Sequence, residues 1–218
     1  MAAPAIDPII KNLLGAPEPE VRATACRMLG GITDQSLGTP VPPEKAVVVV
    51  KPLLTRLTTD DQWGVRRRAA TALGVLGEVA KANAVVPALI QRMRAERDEV
   101  KAACAEALGK IADPSAIGPL VDTLIANRRG ATRELRLALT ALGPDAIPAI
   151  QRALASPETE VRLNATQAIA QIGGKGAVIA LASMLKDPDV AIRRVSSDAL
   201  RDSADARVLT QVAAALGD

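Results

Sequence analysis

Apolar and small residues return on one helical face along the whole chain, in a phrase that recurs six times. The phrase opens with Val-Arg, sets a small residue four positions after the Val and reaches Ala-Leu-Gly at the seventh to ninth. Val21-Arg22, Ala25, Met28-Leu29-Gly30 and Ile32 form the first copy, and Val65-Arg66, Ala69, Ala72-Leu73-Gly74 and Leu76 the second. Val100-Lys101, Cys104, Ala107-Leu108-Gly109 and Ile111 form the third. A weaker fourth carries Ala138 and Ala141-Leu142-Gly143, with Glu134 in the place of the Val. Val161-Arg162, Ala165, Ala168-Ile169 and Ile172 make the fifth, and Ile192-Arg193, Ser196 and Ala199-Leu200 the sixth. Residues spaced in this way lie on one face of an α-helix, so each phrase predicts an amphipathic helix.

Successive phrases start 44, 35, 34, 27 and 31 residues apart. A period in the low thirties holds two short helices and two turns. The other helix of each unit is marked by a proline thirteen residues before the Val, at Pro8, Pro52, Pro87 and Pro148; Pro119 is two residues off register, and Ile179 stands there in the sixth unit. Apolar patterns follow, as in Ile9-Ile10-Leu13, Leu53-Leu54-Leu57, Leu89-Ile90-Met93, Leu120-Val121-Leu124 and Ile150-Leu154. Proline inside a helix removes a hydrogen bond and bends it, which suits a curved stack. Between the two helices, Ala16-Pro17-Glu18-Pro19-Glu20, Thr59-Asp60-Asp61, Ser156-Pro157-Glu158 and Asp187-Pro188-Asp189 read as turns. Each offers an N-cap and first-turn carboxylates. A last helix is expected over 204–216. The pattern predicts an all-α chain of six helix pairs plus a C-terminal closing helix, as one domain over 1–218. Its approximate units are 4–32, 44–79, 84–112, 115–143, 145–173 and 176–201.

The proline-bearing first helix, the turn acid and the Val-Arg-x-x-Ala-x-x-Ala-Leu-Gly second helix resemble HEAT repeats, specifically the phycobilisome-lyase-like HEAT family. The resemblance covers essentially the whole chain. It implies a right-handed α-α superhelix, a HEAT-like solenoid with outer and inner helices. It also implies a ladder between a turn Asp and the Arg after the Val; Asp60 with Arg66 and Asp187 with Arg193 fit that role, while Ala16, Ala95 and Ser156 depart from it. By resemblance alone, a bilin lyase or chaperone subunit is one functional alternative.

Composition narrows the chemistry. The 218 residues hold no His, Tyr or Phe, and Trp63 is the single aromatic residue. The usual general base near neutral pH is therefore missing, as are the means to stack bases or hold a tetrapyrrole. Cys26 and Cys104 cannot form a zinc site, and lying two units apart they are too distant for a disulfide. A buried Cys serves as a small hydrophobe. Gly173-Gly174-Lys175-Gly176 follows a predicted helix rather than a strand, and Ala177 stands where a phosphate loop needs Ser or Thr; glycines there serve as a helix C-cap. The acidic pairs Asp60-Asp61 and Asp187-Pro188-Asp189 read as caps rather than a cation site. No catalytic residue, cofactor or metal is expected. No apolar run reaches a membrane span, and residues 1–7 lack a signal-peptide pattern; the expectation is a soluble, cytoplasmic protein.

Arginine outnumbers lysine 19 to 8, at a net charge of +3. Inner-helix positions two, five, six and nine after the Val point away from the core, toward the concave side of the stack. They carry Arg27, Arg67, Thr71, Glu106, Arg136, Thr140, Gln167, Arg194, Asp198 and Arg201. Such a basic groove suits an acidic protein segment or a phosphate backbone. Trp63 is either an anchor for a partner or a lid over the adjacent seam between helices. The expected function is a non-catalytic scaffold for an acidic protein partner, with Arg27, Trp63, Arg67, Arg136, Arg194 and Arg201 as partner-binding residues. Nucleic-acid binding is the first alternative. Two segments break the rhythm, the connection 33–43 and Asn127-Arg128-Arg129-Gly130, and either place can carry a function. The apolar 204–216 helix predicts homo-oligomerisation through an unprotected end.

Overall fold

The computed structural model describes residues 6–33, 42–81, 84–126 and 131–202. Among these, every regular element is helical. Two compact units divide the chain, residues 1–116 and 117–218.

In the first unit, α1 (Ile6–Pro8) runs into a π-type turn over Ile9–Leu13, followed by α2 (Pro19–Gly30). Then come α3 (Pro43–Thr59), α4 (Trp63–Val75), α5 (Glu78–Lys81), α6 (Val85–Ala95) and α7 (Asp98–Ile111). The second unit holds α8 (Ile117–Ala126), α9 (Thr132–Ala141), α10 (Ile147–Leu154), α11 (Thr159–Ile172), α12 (Gly174–Met184) and α13 (Val190–Asp202). Each unit therefore stacks three helix pairs. In the first, α4 packs between α2 and α7; in the second, α11 packs between α9 and α13, and α10 between α8 and α12.

The repeat phrase decides this packing. The small residue four positions after the Val is buried in all six copies: Ala25, Ala69, Cys104, Ala138, Ala165 and Ser196. Leu29, Leu73, Leu108, Ile169 and Leu200 are buried beside them. With so few large side chains, close packing requires the helix backbones themselves to approach. Gly30 and Gly74 allow it: a Cβ added at Gly30 would lie 2.7 Å from Ala72 Cα, and one at Gly74 would lie 2.6 Å from Ala107 Cα. Met28 escapes the stripe and is 45% exposed.

The prolines act differently from the expectation. Among the described prolines, only Pro52 lies deep inside a helix. Pro87, Pro119 and Pro148 occupy the first turn of α6, α8 and α10, where their missing N–H costs no helical hydrogen bond. A short helical segment precedes two of these helices directly, 3₁₀ turns at Pro114–Ala116 and Gly143–Ala146, so the bend falls at a joint between segments. Among the turns, side-chain capping is made by Asp189, whose Oδ1 accepts from the N–H groups of Ala191 and Ile192 at 2.8 and 3.3 Å. Glu18, Gln62 and Glu158 stand at N-cap positions without a side-chain cap bond. The expected closing helix over 204–216, Asn127-Arg128-Arg129-Gly130 and nearly all of the 33–43 connection lie outside the described residues.

Candidate functional site

In four of the six pairs the turn between the helices is built around the arginine that follows the Val or Ile, at Arg22, Arg66, Arg162 and Arg193. Arg22 Nη1 donates to the carbonyls of Ala16 and Pro17 in its own turn, at 3.0 and 2.8 Å. Its Nε and Nη2 reach the carboxylate of Asp60, one repeat further on, at 2.8 and 3.0 Å. Arg66 repeats the arrangement: Nη1 donates to the carbonyls of Asp60 and Asp61, and Nη2 to Glu96 Oε2 at 2.9 Å. In the second unit Arg162 holds the Ser156 and Pro157 carbonyls, while its Nε lies 2.8 Å from Asp187 Oδ2.

These rungs correct the expected register. Asp60 offers its carboxylate to Arg22, and Arg66 takes only its carbonyl; Asp187 likewise pairs with Arg162, and Arg193 takes the carbonyls of Asp187 and Pro188. The ladder runs from each arginine to the acid of the next repeat. Ala95 is no gap, because Glu96 supplies the carboxylate one position later. Arg56 and Arg92, four residues before the two acids, add 3.3 and 3.0 Å ion pairs from the first helix of their pair. Arg92 also donates to the Thr58 carbonyl. The fitting sequence signal is Arg-x-x-x-acid, as in Arg56–Asp60 and Arg92–Glu96.

Burial and pairing act together on these carboxylates. Burial pushes the Asp60 carboxyl up, but the hydrogen bonds from Arg22 and the Gln62 N–H, with the Arg22 and Arg56 charges, hold it below the ordinary range. Burial likewise opposes Arg66 and Arg92 at Glu96, and the arginines prevail. Asp187 is held low chiefly by its hydrogen bond from Arg162.

Beside the ladder lies a cationic cluster around Trp63. The indole, the first residue of α4, is half-buried. The Arg97 guanidinium carbon stands 4.6 Å from the ring centroid and that of Arg67 stands 5.7 Å from it. Both distances are those of cation–π contacts. Arg97, from the turn of the following repeat, is not among the expected partner-binding residues. Arg67 Nε is buried without a hydrogen-bond partner.

The other expected partner-binding residues stand apart from this cluster. Arg27 is exposed on α2. Arg136 is half-buried and donates through Nη1 to Gln171 Oε1 at 2.8 Å, where Thr140 also donates. Arg194 and Arg201 are exposed on α13 and share the Asp198 carboxylate, at 3.8 and 3.3 Å. Of the remaining outward positions, Glu106 is exposed and paired with Lys110, and none is buried.

Other candidate chemistry resolves into packing. Cys26 and Cys104 are both buried, and burial pushes each thiol up to about 12, far from a reactive thiolate. Gly173 and Gly174 have φ of 69° and 79° and join α11 to α12. With Ile147, Pro148, Gln151, Lys175 and Ile179 they line an open, largely apolar pocket of about 470 Å³. Among the described residues no group of His, Cys, Asp and Glu is placed to hold a metal ion. No helix among them is long and apolar enough to cross a membrane.

Helix pairs stacked on one another within each unit, with arginine–acid rungs between neighbouring turns, are the construction of an α-solenoid. The family model for HEAT repeats matches residues 6–84, 50–140 and 122–201, and the chain belongs to that family. No curated protein matches the sequence. Among solved structures, an engineered protein is similar at 21% identity, with 96% of this chain and 97% of that one covered and a TM-score of 0.58. A designed armadillo repeat protein is similar at 19% identity, with 91% and 99% covered and a TM-score of 0.57. So is the complex of CpcE and CpcF of phycocyanin lyase from Nostoc sp. PCC7120, at 24% identity, with 95% and 80% covered and a TM-score of 0.54. At these identities the likeness is one of fold.

Proposed function

We propose that this protein is a non-catalytic scaffold that binds an acidic segment of a protein partner through the outward side of its second helices. The supporting observation is the Trp63 cluster, an aromatic ring with two guanidinium groups over it at a helix start. Arginine and tryptophan are the side chains on which interface energy concentrates. Arg27, Arg136, Arg194 and Arg201 extend the basic character to other repeats. Within the first unit the rungs tie successive turns together around Trp63, Arg67 and Arg97, so that little ordering is needed there on binding. Buried, protonated thiols and a chain without histidine fit a binding role better than a catalytic one.

Titration of the protein with a short Glu/Asp-rich peptide at low salt, followed by Trp63 fluorescence, tests this reading. Saturable binding that weakens with salt is the expected result, and a Gln-substituted peptide should not bind. The triple variant Arg67→Glu, Arg136→Glu and Arg194→Glu should lose the binding while keeping its helical circular dichroism. Unchanged affinity in that variant would overturn the proposal. Tighter binding of a single-stranded oligonucleotide than of the peptide favours the nucleic-acid alternative. A change in visible absorbance on mixing with bilin would revive the lyase alternative.

A further inference from the structure

Around Trp63 one acid is placed against the grain of the cluster. Arg97 covers the indole, and its Nε is held by Glu99 Oε2 at 3.0 Å, in a pair exposed on both sides, 52% and 47%. Glu99 belongs to the first turn of α7, and its carboxylate meets the one cluster arginine that is widely open to solvent. The other acids nearby are engaged elsewhere: Asp98 with Lys101 at 3.2 Å, Asp60 with Arg22, and Glu96 with Arg66 and Arg92. Asp61, itself exposed, is paired with Arg22. Arg67 brings a buried, unpartnered Nε to the same ring, so this end of the cluster has hydrogen-bond capacity left over. A guanidinium stacked on an indole keeps its edge donors free for a planar carboxylate.

We infer that Glu99 is an internal stand-in for a partner's carboxylate, occupying the edge of Arg97 until an acidic peptide segment displaces it. This rests on the acidic-segment reading above and adds a residue that tunes it. The exchange is one carboxylate for another on the same guanidinium, with no proton transferred. An exposed pair is weak enough to be exchanged. Trp63 reports the event because Arg97 lies against its ring.

The test compares the wild-type chain with Glu99→Gln, Arg97→Gln and the charge-matched control Glu20→Gln, an exposed change on α2. Each is titrated with the Glu/Asp-rich peptide and, separately, with a single-stranded oligonucleotide, by Trp63 fluorescence and calorimetry. The inference expects Glu99→Gln to tighten peptide binding roughly two- to fivefold, the range an exposed ion pair is worth. Glu20→Gln should leave affinity within experimental scatter, and Arg97→Gln should weaken binding and shift the free protein's emission. Equal tightening by Glu20→Gln and Glu99→Gln would reduce the effect to net charge and overturn the inference. Peptide binding with no response to Glu99→Gln would overturn it too, leaving the scaffold reading intact. No peptide binding by any variant removes both, and binding of the oligonucleotide alone would transfer the cluster to nucleic acid.

Discussion

The two units carry the same phrase but hold their repeats together differently. In the first, rungs join every successive turn, Arg22 to Asp60 and Arg66 to Glu96, and glycines let α2, α4 and α7 close on alanine backbones. In the second, the rung between its first two pairs is missing at both ends. Leu135, buried, stands where the arginine would be, and Ser156 stands in the place of the acid, its Oγ accepting from the Glu158 N–H at 3.3 Å. Arg152, counterpart of Arg56 and Arg92, turns instead to exposed Asp122. Gly143 no longer sits in a helix contact: it has φ +74°, and a Cβ there would meet nothing within 4 Å. The second helices α9 and α11 are bridged by Arg136, Thr140 and Gln171 instead. A buried carboxylate and a buried guanidinium are tolerable only as a pair, so the repeat that gave up one gave up the other.

Acid should expose this contrast most strongly. Each rung carboxyl titrates lower in the folded chain than the roughly 3.9 of Asp or 4.3 of Glu in an unfolded one. The folded state therefore binds fewer protons, and the rungs' stabilisation is complete above those values and drains away as pH falls through the folded ones. Hydrogen exchange by mass spectrometry at pH 7 and near pH 3 should show the first unit, with two rung acids, losing more protection than the second, with one. Equal losses would mean that the rungs do not set the difference.

Single substitutions follow in descending size. Asp60→Ala leaves Arg22, only 8% exposed, without its main partner, and should cost about 3 kcal/mol in urea unfolding. Two turn carbonyls and Asp61 remain to Arg22, which keeps the loss at the low end for a broken buried pair. Gly74→Ala drives a methyl into Ala107 and should cost about 2 kcal/mol. Gly143→Ala, strained in its φ alone, should cost about 1 kcal/mol. Ala112 closes α7 at φ 53°, a left-handed position that glycine prefers, so Ala112→Gly should raise stability by up to about 1 kcal/mol. Arg152→Gln removes only an exposed pair, and a change above about 0.5 kcal/mol would show that the second unit relies on it.

Much of this architecture was legible in the spacing of small and apolar residues. The helices and their buried stripe follow from a period that local sequence preserves, and a buried small residue (Ala, Cys or Ser) stands at its fourth offset in all six copies. The rungs were not legible in their true register. Asp60 and Arg66 are neighbours in sequence, whereas Arg22 and Asp60 are 38 residues apart and meet only after two helices have packed. Glu96 was hidden because its longer side chain reaches the place of an aspartate from one residue later. Trp63 and Arg67, one helical turn apart, could be paired by eye, but Arg97 arrives from the next repeat. Pattern finds what a repeat does within itself, and contact between repeats depends on geometry that a single period does not encode.

The rung also has a sense of direction. Its arginine clasps the bend it stands beside and extends the rest of its fork to an acid that only the succeeding module supplies. Copies can therefore be added head to tail, each bringing one new link, whereas a module inserted backwards would find no hand to take. Lengthening by whole units in a single orientation is the route of growth that this chemistry leaves open to the chain.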